Sequence, residues 1–169
     1  MKTVSLTVLC SCFLIISGCG PKFYPITGNY YGGNNPYQIE TKKSKEDVWN
    51  KIIELFATRG LSIKLLDKSS GLIISEKLPF SGNDCTVENE NGALVNPNAF
   101  IVCDKVVWQT IDYEPQEAVG EWNIRVVGRE GKTLINVNLI NIDVTYKGKL
   151  HGAGRSTGKF EGLISDFIK

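Results

Sequence analysis

The feature that most constrains this chain is a pair of alternating segments, 118–127 and 133–144, separated by Gly128-Arg129-Glu130-Gly131. In the first, Trp122, Ile124 and Val126 recur at every second position, the period of a strand with one buried face. In the second, Ile135, Val137, Leu139 and Asn141 alternate with Leu134, Asn136, Asn138 and Ile140, and Ile135, Val137 and Leu139 are expected to face the core. A turn with glycine at both ends between such runs predicts a β-hairpin, whose apolar face needs a cover.

The cover is visible upstream. Ser44-Lys45-Glu46-Asp47 resembles a capping box, and Val48, Trp49, Ile52, Ile53, Leu55 and Phe56 follow at three- and four-residue steps until Gly60, a natural helix-ending residue. Tyr37–Thr41 alternates as a short strand, and Leu61–Leu66 and Leu72–Glu76 read as two more, joined by the turn residues Asp67-Lys68-Ser69-Ser70-Gly71 with Gly71 at positive φ. Residues 78–98 hold Pro79, Gly82, Asn83, Gly92 and Pro97 and read as a loop insertion leaving the sheet. Phe100–Trp108 is β-rich. After Gly152-Ala153-Gly154, Ser156 or Thr157 is expected to cap a last helix with Phe160, Leu163, Ile164, Phe167 and Ile168 as its apolar stripe. The predicted class is α+β, an antiparallel β-sheet with two helices packed on one face, in a single domain over 37–169.

The first residues carry a different signal. Lys2 gives a positive start and Val4–Ile16 an apolar run too short to span a bilayer, so 1–18 reads as a signal peptide. Without Lys2 the remaining chain balances 18 basic against 18 acidic residues and has no basic cluster, which argues against nucleic acid as a partner. Gly20–Pro36, rich in Gly, Pro, Asn and Tyr, shows neither helical nor strand periodicity, and 19–36 is expected to be a flexible tether. Its Phe23, Tyr24, Tyr30 and Tyr31 suit an interface with one wet side, either the headgroup level of a membrane or a partner.

Ile16-Ser17-Gly18-Cys19 resembles the lipobox of bacterial lipoproteins. The resemblance implies a diacylglycerol on the Cys19 thiol, cleavage between Gly18 and Cys19, and acylation of the new amine; the alternative is an ordinary secretory signal. Two or more acyl chains hold a membrane stably. Gly20 after the cysteine, in place of the aspartate associated with inner-membrane retention, implies the periplasmic side of the outer membrane. Beyond Cys19 the mature cysteines are Cys85 and Cys103, an even pair in a compartment that permits oxidation, and a disulfide between them is expected. Two separate buried thiols are the alternative. A metal site would need two further ligands, and the only histidine, His151, lies in no ligand motif.

A second resemblance covers about the first third of the domain and a few residues near its end. Val48-Trp49 through Gly60-Leu61-Ser62-Ile63 into Asp67-Lys68-Ser69-Ser70-Gly71-Leu72-Ile73, with Ser156-Thr157-Gly158-Lys159-Phe160-Glu161, is similar to periplasmic lipoprotein domains, nearest to the BamC group of outer-membrane assembly lipoproteins. It implies a helix-grip-like domain with a role in envelope assembly, and it transfers no catalytic residue.

Tests for chemistry return little. Gly152–Lys159 is glycine-rich before a helix and a place where backbone amides could hold an anion, yet it lacks the P-loop's first glycine and final hydroxyl. His151 has no nucleophile signature beside it, and there is no G-x-S-x-G and no H-E-x-x-H. Asp84, Glu88 and Glu90 crowd the insertion without a calcium-loop pattern and read as a solvated face. No catalytic residue, cofactor or metal is expected. The leading expectation is a membrane-anchored interaction or assembly module that binds envelope proteins. The alternatives are a carrier of a lipid or other hydrophobic ligand and a cell-wall enzyme or inhibitor using His151 or the acidic insertion.

Overall fold

The computed structural model describes residues 20–32, 35–147 and 149–169. The expected signal peptide, 1–18, and Cys19 lie outside the described residues. In chain order the elements are β1 (Lys22–Tyr24), β2 (Tyr37–Thr41), α1 (Lys45–Thr58), β3 (Ile63–Asp67), β4 (Leu72–Ser75), β5 (Leu78–Ser81), β6 (Cys85–Thr86), β7 (Ile101–Cys103), β8 (Lys105–Trp108), β9 (Ile111–Tyr113), β10 (Glu117–Arg129), β11 (Lys132–Tyr146), β12 (Leu150–Gly152), β13 (Gly154–Ser156) and α2 (Lys159–Ile168). The class is α+β, dominated by antiparallel sheet.

The hairpin of β10 and β11 is the frame. Trp122 stands opposite Leu139, Ile124 opposite Val137 and Val126 opposite Ile135, and all six are buried, as the alternation predicts. Its turn is tighter than the four-residue stretch suggests: Arg129 pairs with Lys132, and Glu130 and Gly131 take φ of 39° and 78°. Both central residues of a two-residue turn that follows the strand twist need positive φ. Short strands complete both edges. β4 and β5 pair with successive stretches of β10, while β2 and β12 pair with opposite ends of β11. Between β5 and β4 the buried Ser75 Oγ accepts the Trp122 N–H at 2.8 Å, so the interrupted ladder leaves that amide satisfied. β5 therefore belongs to the main sheet. The insertion expected from residue 78 departs at Gly82, because Leu78–Ser81 still pair with Glu117–Gly120.

α1 begins as its sequence predicts: Ser44 Oγ accepts the Asp47 amide at 3.1 Å. It ends at Gly60, φ 66°, where the Leu61 amide reaches the Phe56 carbonyl at 2.8 Å and the Gly60 amide that of Ala57 at 3.2 Å. Val48, Trp49, Ile52, Leu55 and Phe56 share one buried cluster with Ile124, Val126, Ile135, Val137 and the α2 residues Ile164 and Ile168. α1 touches β10, β11 and α2, and Phe160 of α2 stacks on Trp122 with ring centroids 4.1 Å apart. The cap of α2 differs from expectation. Gly158, φ 91°, is its N-cap; Ser156 belongs to β13, and the Thr157 hydroxyl donates to the Ala99 carbonyl at 2.6 Å.

Two smaller sheets flank the frame, β1-β8-β9 and β13-β7-β6, the latter with β6 and β7 parallel. The β-rich run Phe100–Trp108 is thus split at Asp104 between two sheets. Over its described residues the segment expected to be a featureless tether supplies β1, which pairs with β8 from Lys22 opposite Val107 to Tyr24 opposite Lys105. Three residues are too few for periodicity to reveal.

In the turn between β3 and β4, hydrogen bonds from Ser69 and Ser70 hold Asp67 down at about 2. Gly71 there has φ 74°, and a Cβ on it would run into the Val126 carbonyl oxygen. Gly92 has a similar φ of 76° but nothing within 4 Å. Gly71→Ala is therefore expected to lower stability by about 2–3 kcal/mol, and Gly92→Ala by about 1 kcal/mol, in urea unfolding. Equal losses would mean that conformation alone, without the close approach to β10, sets the cost.

Candidate functional site

Of the residues singled out by sequence, Asp84, Cys85, Glu88 and Glu90 lie in the insertion, Cys103 on the strand paired with β6, and His151 on β12. Asp84, Glu88 and Glu90 do not converge. Asp84 Oδ2 accepts from the Ser81 amide at 2.9 Å and its hydroxyl at 2.7 Å, capping the short turn 82–84. Glu88 turns toward the N-terminal segment: Oε2 accepts from the Thr27 amide at 2.8 Å and hydroxyl at 2.7 Å, and Oε1 from the Gly28 amide at 2.7 Å. Glu90 lies exposed at the end of the insertion. Among the described residues no three His, Cys, Asp or Glu side chains gather as metal ligands.

Partial burial raises the pKa of Glu88, but the donors on Thr27, Gly28 and Tyr30 outweigh it and hold the carboxyl below its ordinary value. Glu88 thus clamps 27–30 onto the insertion. Asp104 adds a second clamp, accepting the Ile26 amide at 3.3 Å on one oxygen and the Ala153 amide at 3.1 Å on the other. The Asp104 carbonyl takes the Tyr146 hydroxyl at 2.6 Å; burial pushes that phenol up, so it stays a donor. Beside the Glu88 clamp lies a cleft of about 410 Å³ lined by Tyr24, Ile26, Glu88, Cys103, Lys105 and Val107.

Cys85 and Cys103 are both buried and both free thiols; the expected disulfide is not formed in the structure. Their adjacency follows from register: Cys85 pairs with Ile101 on the neighbouring parallel strand, and Cys103, two residues on, shares that face. The thiols hydrogen-bond to each other. That bond and burial push Cys103 up, while accepting it lowers Cys85.

His151 is exposed and its Nδ1 lies 2.9 Å and 3.1 Å from the two Asp143 oxygens, a surface pair on adjacent strands. The glycine-rich stretch has already spent its amides: Ala153 on Asp104, Ser156 on the Tyr31 carbonyl, Thr157 on the Phe100 carbonyl and Gly158 on the Ser156 hydroxyl. Its glycines answer a packing need instead. A Cβ on Gly154 would meet Ile142 at 2.7 Å, and one on Gly152 would meet the Tyr146 ring at 2.9 Å.

No family model matches the chain, and no curated protein matches it. Its chemistry is therefore read from the side chains.

Two buried acids, Glu121 and Glu161, escaped the sequence reading, and Glu121 pairs with Lys64 at 3.6 Å. Glu161, on the buried face of α2, accepts the Ser156 hydroxyl at 2.8 Å on Oε2, while its buried Oε1 has no hydrogen-bond partner among the described residues. Burial raises its pKa against the opposing effect of Ser156. Its spacing to Ile164 and Ile168 puts position 161 on the apolar stripe, and only the residue type conceals the burial.

Glu88 and Glu161 make opposite pH predictions. The folded pKa of Glu88 is depressed, so its contribution is complete above the unfolded value and disappears as pH falls through the folded one. Glu88→Gln should cost about 1 kcal/mol at neutral pH and nothing in acid. The folded pKa of Glu161 is raised, so its stability is complete below the unfolded value and is lost as pH rises through the folded one. Glu161→Gln should gain about 1 kcal/mol at neutral pH. Urea midpoints between about pH 3 and pH 8 would separate the two, and parallel profiles for both variants would contradict the assignment.

Proposed function

We propose that the chain is a lipoprotein, anchored through Cys19 on the periplasmic side of the outer membrane, whose domain is a non-catalytic module that binds or assembles other envelope proteins. The observation that supports this best is how the chain leaves Cys19: within three residues it enters β1, and the Glu88 and Asp104 clamps then fasten it to the insertion and to β13's approach. A domain joined this closely to an anchor is held at the membrane surface, where it meets other anchored proteins at high effective concentration.

We also read the arrangement of α1 and α2 against β10 and β11 as helix-grip-like, in keeping with the resemblance to the BamC group. The contacts of α1 with both long strands and the Phe160–Trp122 stack support it. The space between helices and sheet is filled by buried side chains such as Phe56, Ile52, Trp122 and Ile164, so a hydrophobic cargo there is the weaker reading. His151, Asp84 and Glu88 each serve a structural contact, which favours a binding role over an enzymatic one.

Replacement of Cys19 by alanine is expected to move the protein from the membrane to the soluble fraction and to abolish its crosslinks to envelope proteins in cells. Crosslinks that persist in the soluble form would leave the module without need of its anchor; a membrane fraction unchanged by the substitution would remove the lipoprotein reading.

In the oxidising envelope the contacting thiols of Cys85 and Cys103 are expected to lose two hydrogens to a disulfide-exchanging oxidant and become bonded, which by loop closure adds about 3 kcal/mol. Intact mass of protein taken from the envelope under acid quench, before and after reductant, reads this directly. An unchanged mass would leave them as two buried thiols.

A further inference from the structure

The hairpin of β8 and β9 turns through Gln109 and Thr110, whose φ values are 50° and 68°. Such a turn is relieved by Asn-Gly or Asp-Gly; glutamine and a β-branched threonine carry the strain instead. Trp108 and Ile111 close the turn opposite each other, with 37% and 55% of their surface exposed. The Trp108 ring leans on Tyr113, with centroids 6.2 Å apart. An exposed turn is where polar residues are expected, so a strained tip carrying an indole and an isoleucine points to a contact surface.

The direction of the chain says which surface. β1 runs antiparallel to β8 with Lys22 opposite Val107, so the chain preceding Lys22 leads toward the Gln109-Thr110 end of the hairpin. Gly20, the first described residue, directly follows Cys19 in the sequence. Tyr113 shares its face of β9 with Ile111, and Lys147 holds its Nζ 4.0 Å over the Tyr113 ring, a cation beside the aromatic pair. This is the pairing of aromatic ring and long amine found at membrane interfaces.

We propose that the tip of this hairpin, Trp108 and Ile111, docks in the headgroup–acyl boundary of the bilayer that carries the Cys19 lipid, an inference that rests on the lipoprotein reading. Two side chains are too small a patch to hold a protein partner, which needs many more residues a side. They are equally too few to bind a membrane unaided. As a second contact for a chain already tethered at the same end they suffice, because the anchor has met the cost of association. Docking at the tip would fix which side of the domain faces the periplasm.

The test uses the full lipidated protein in phosphatidylethanolamine/phosphatidylglycerol vesicles containing a phospholipid brominated high in its acyl chain. Trp49 and Trp122 are buried, 5% and 1% exposed, so Trp108 reports for the surface. Bromolipid is expected to quench the emission, the quenching to vanish in Trp108→Phe, and to fall several-fold in Ile111→Asp while all three proteins still float with the vesicles. Quenching no greater than that of Trp108→Phe, in protein whose intact mass shows lipid on Cys19, would overturn the docking and leave the anchor standing. An unmodified Cys19 would overturn both. A photo-reactive residue at position 111 that captures protein rather than lipid in cells would hand the tip to a protein partner.

Discussion

The register between Glu117–Arg129 and Lys132–Tyr146 is the constraint on which the rest of the molecule depends. Because side chains alternate strictly along a strand, that register puts Trp122, Ile124 and Val126 on the same face as Leu139, Val137 and Ile135 and obliges something apolar to cover them. α1 and α2 supply the cover, and four short strands use the outer edges that a bare hairpin would leave open. None of these four needs intrinsic stability, since each is templated by a long neighbour.

A single irregularity in that register organises the other half of the protein. Between Val119 and Glu121 the pairing slips, and on the opposite strand Asn141 adopts φ 54°. The extra residue reverses the alternation: Ile135, Val137 and Leu139 are buried before it, Val144 and Tyr146 after it. Tyr146 is thereby turned inward to bond the Asp104 carbonyl, at the junction where β7 passes from one small sheet to β8 in the other. The Asp104 clamp on the N-terminal segment is built at the same junction. The bulge thus couples the long hairpin to the surface that receives the chain from Cys19.

How much of this the sequence discloses follows from the range of the forces involved. The hairpin, α1 with both its caps and the Asp67–Gly71 turn rest on periodicity and local hydrogen bonds, and all three are legible. The reversal at Asn141 is legible only in retrospect, as a hydrophobic alternation that changes parity between Leu139 and Val144. β1 and β6 are three and two residues long and exist because distant partners pair with them, so no local pattern announces them. The candidate site was partly legible: Cys85 and Cys103 stand out as a pair, whereas Glu88's bonds to Thr27 and Gly28 span sixty residues, and the charge of Glu161 conceals a position that its spacing to Ile164 and Ile168 puts on the buried face. Ser156 and Thr157 look like caps by type, yet each finds a nearer tertiary partner and leaves the role to Gly158.

The same distinction bears on function. Asp84, Glu88, Asp104 and His151 each hold a partner that fastens one stretch of chain to another. What the fold leaves exposed is of another kind. Phe23 and Tyr24 on β1, and Trp108 and Ile111 on its neighbours, are large apolar side chains on the sheet into which the chain from Cys19 leads. Each such side chain is worth about 1.5–3 kcal/mol when buried, stabilisation that its exposure forgoes. With the lipid proposed for Cys19 in place, the apolar phase nearest to them would be the membrane itself.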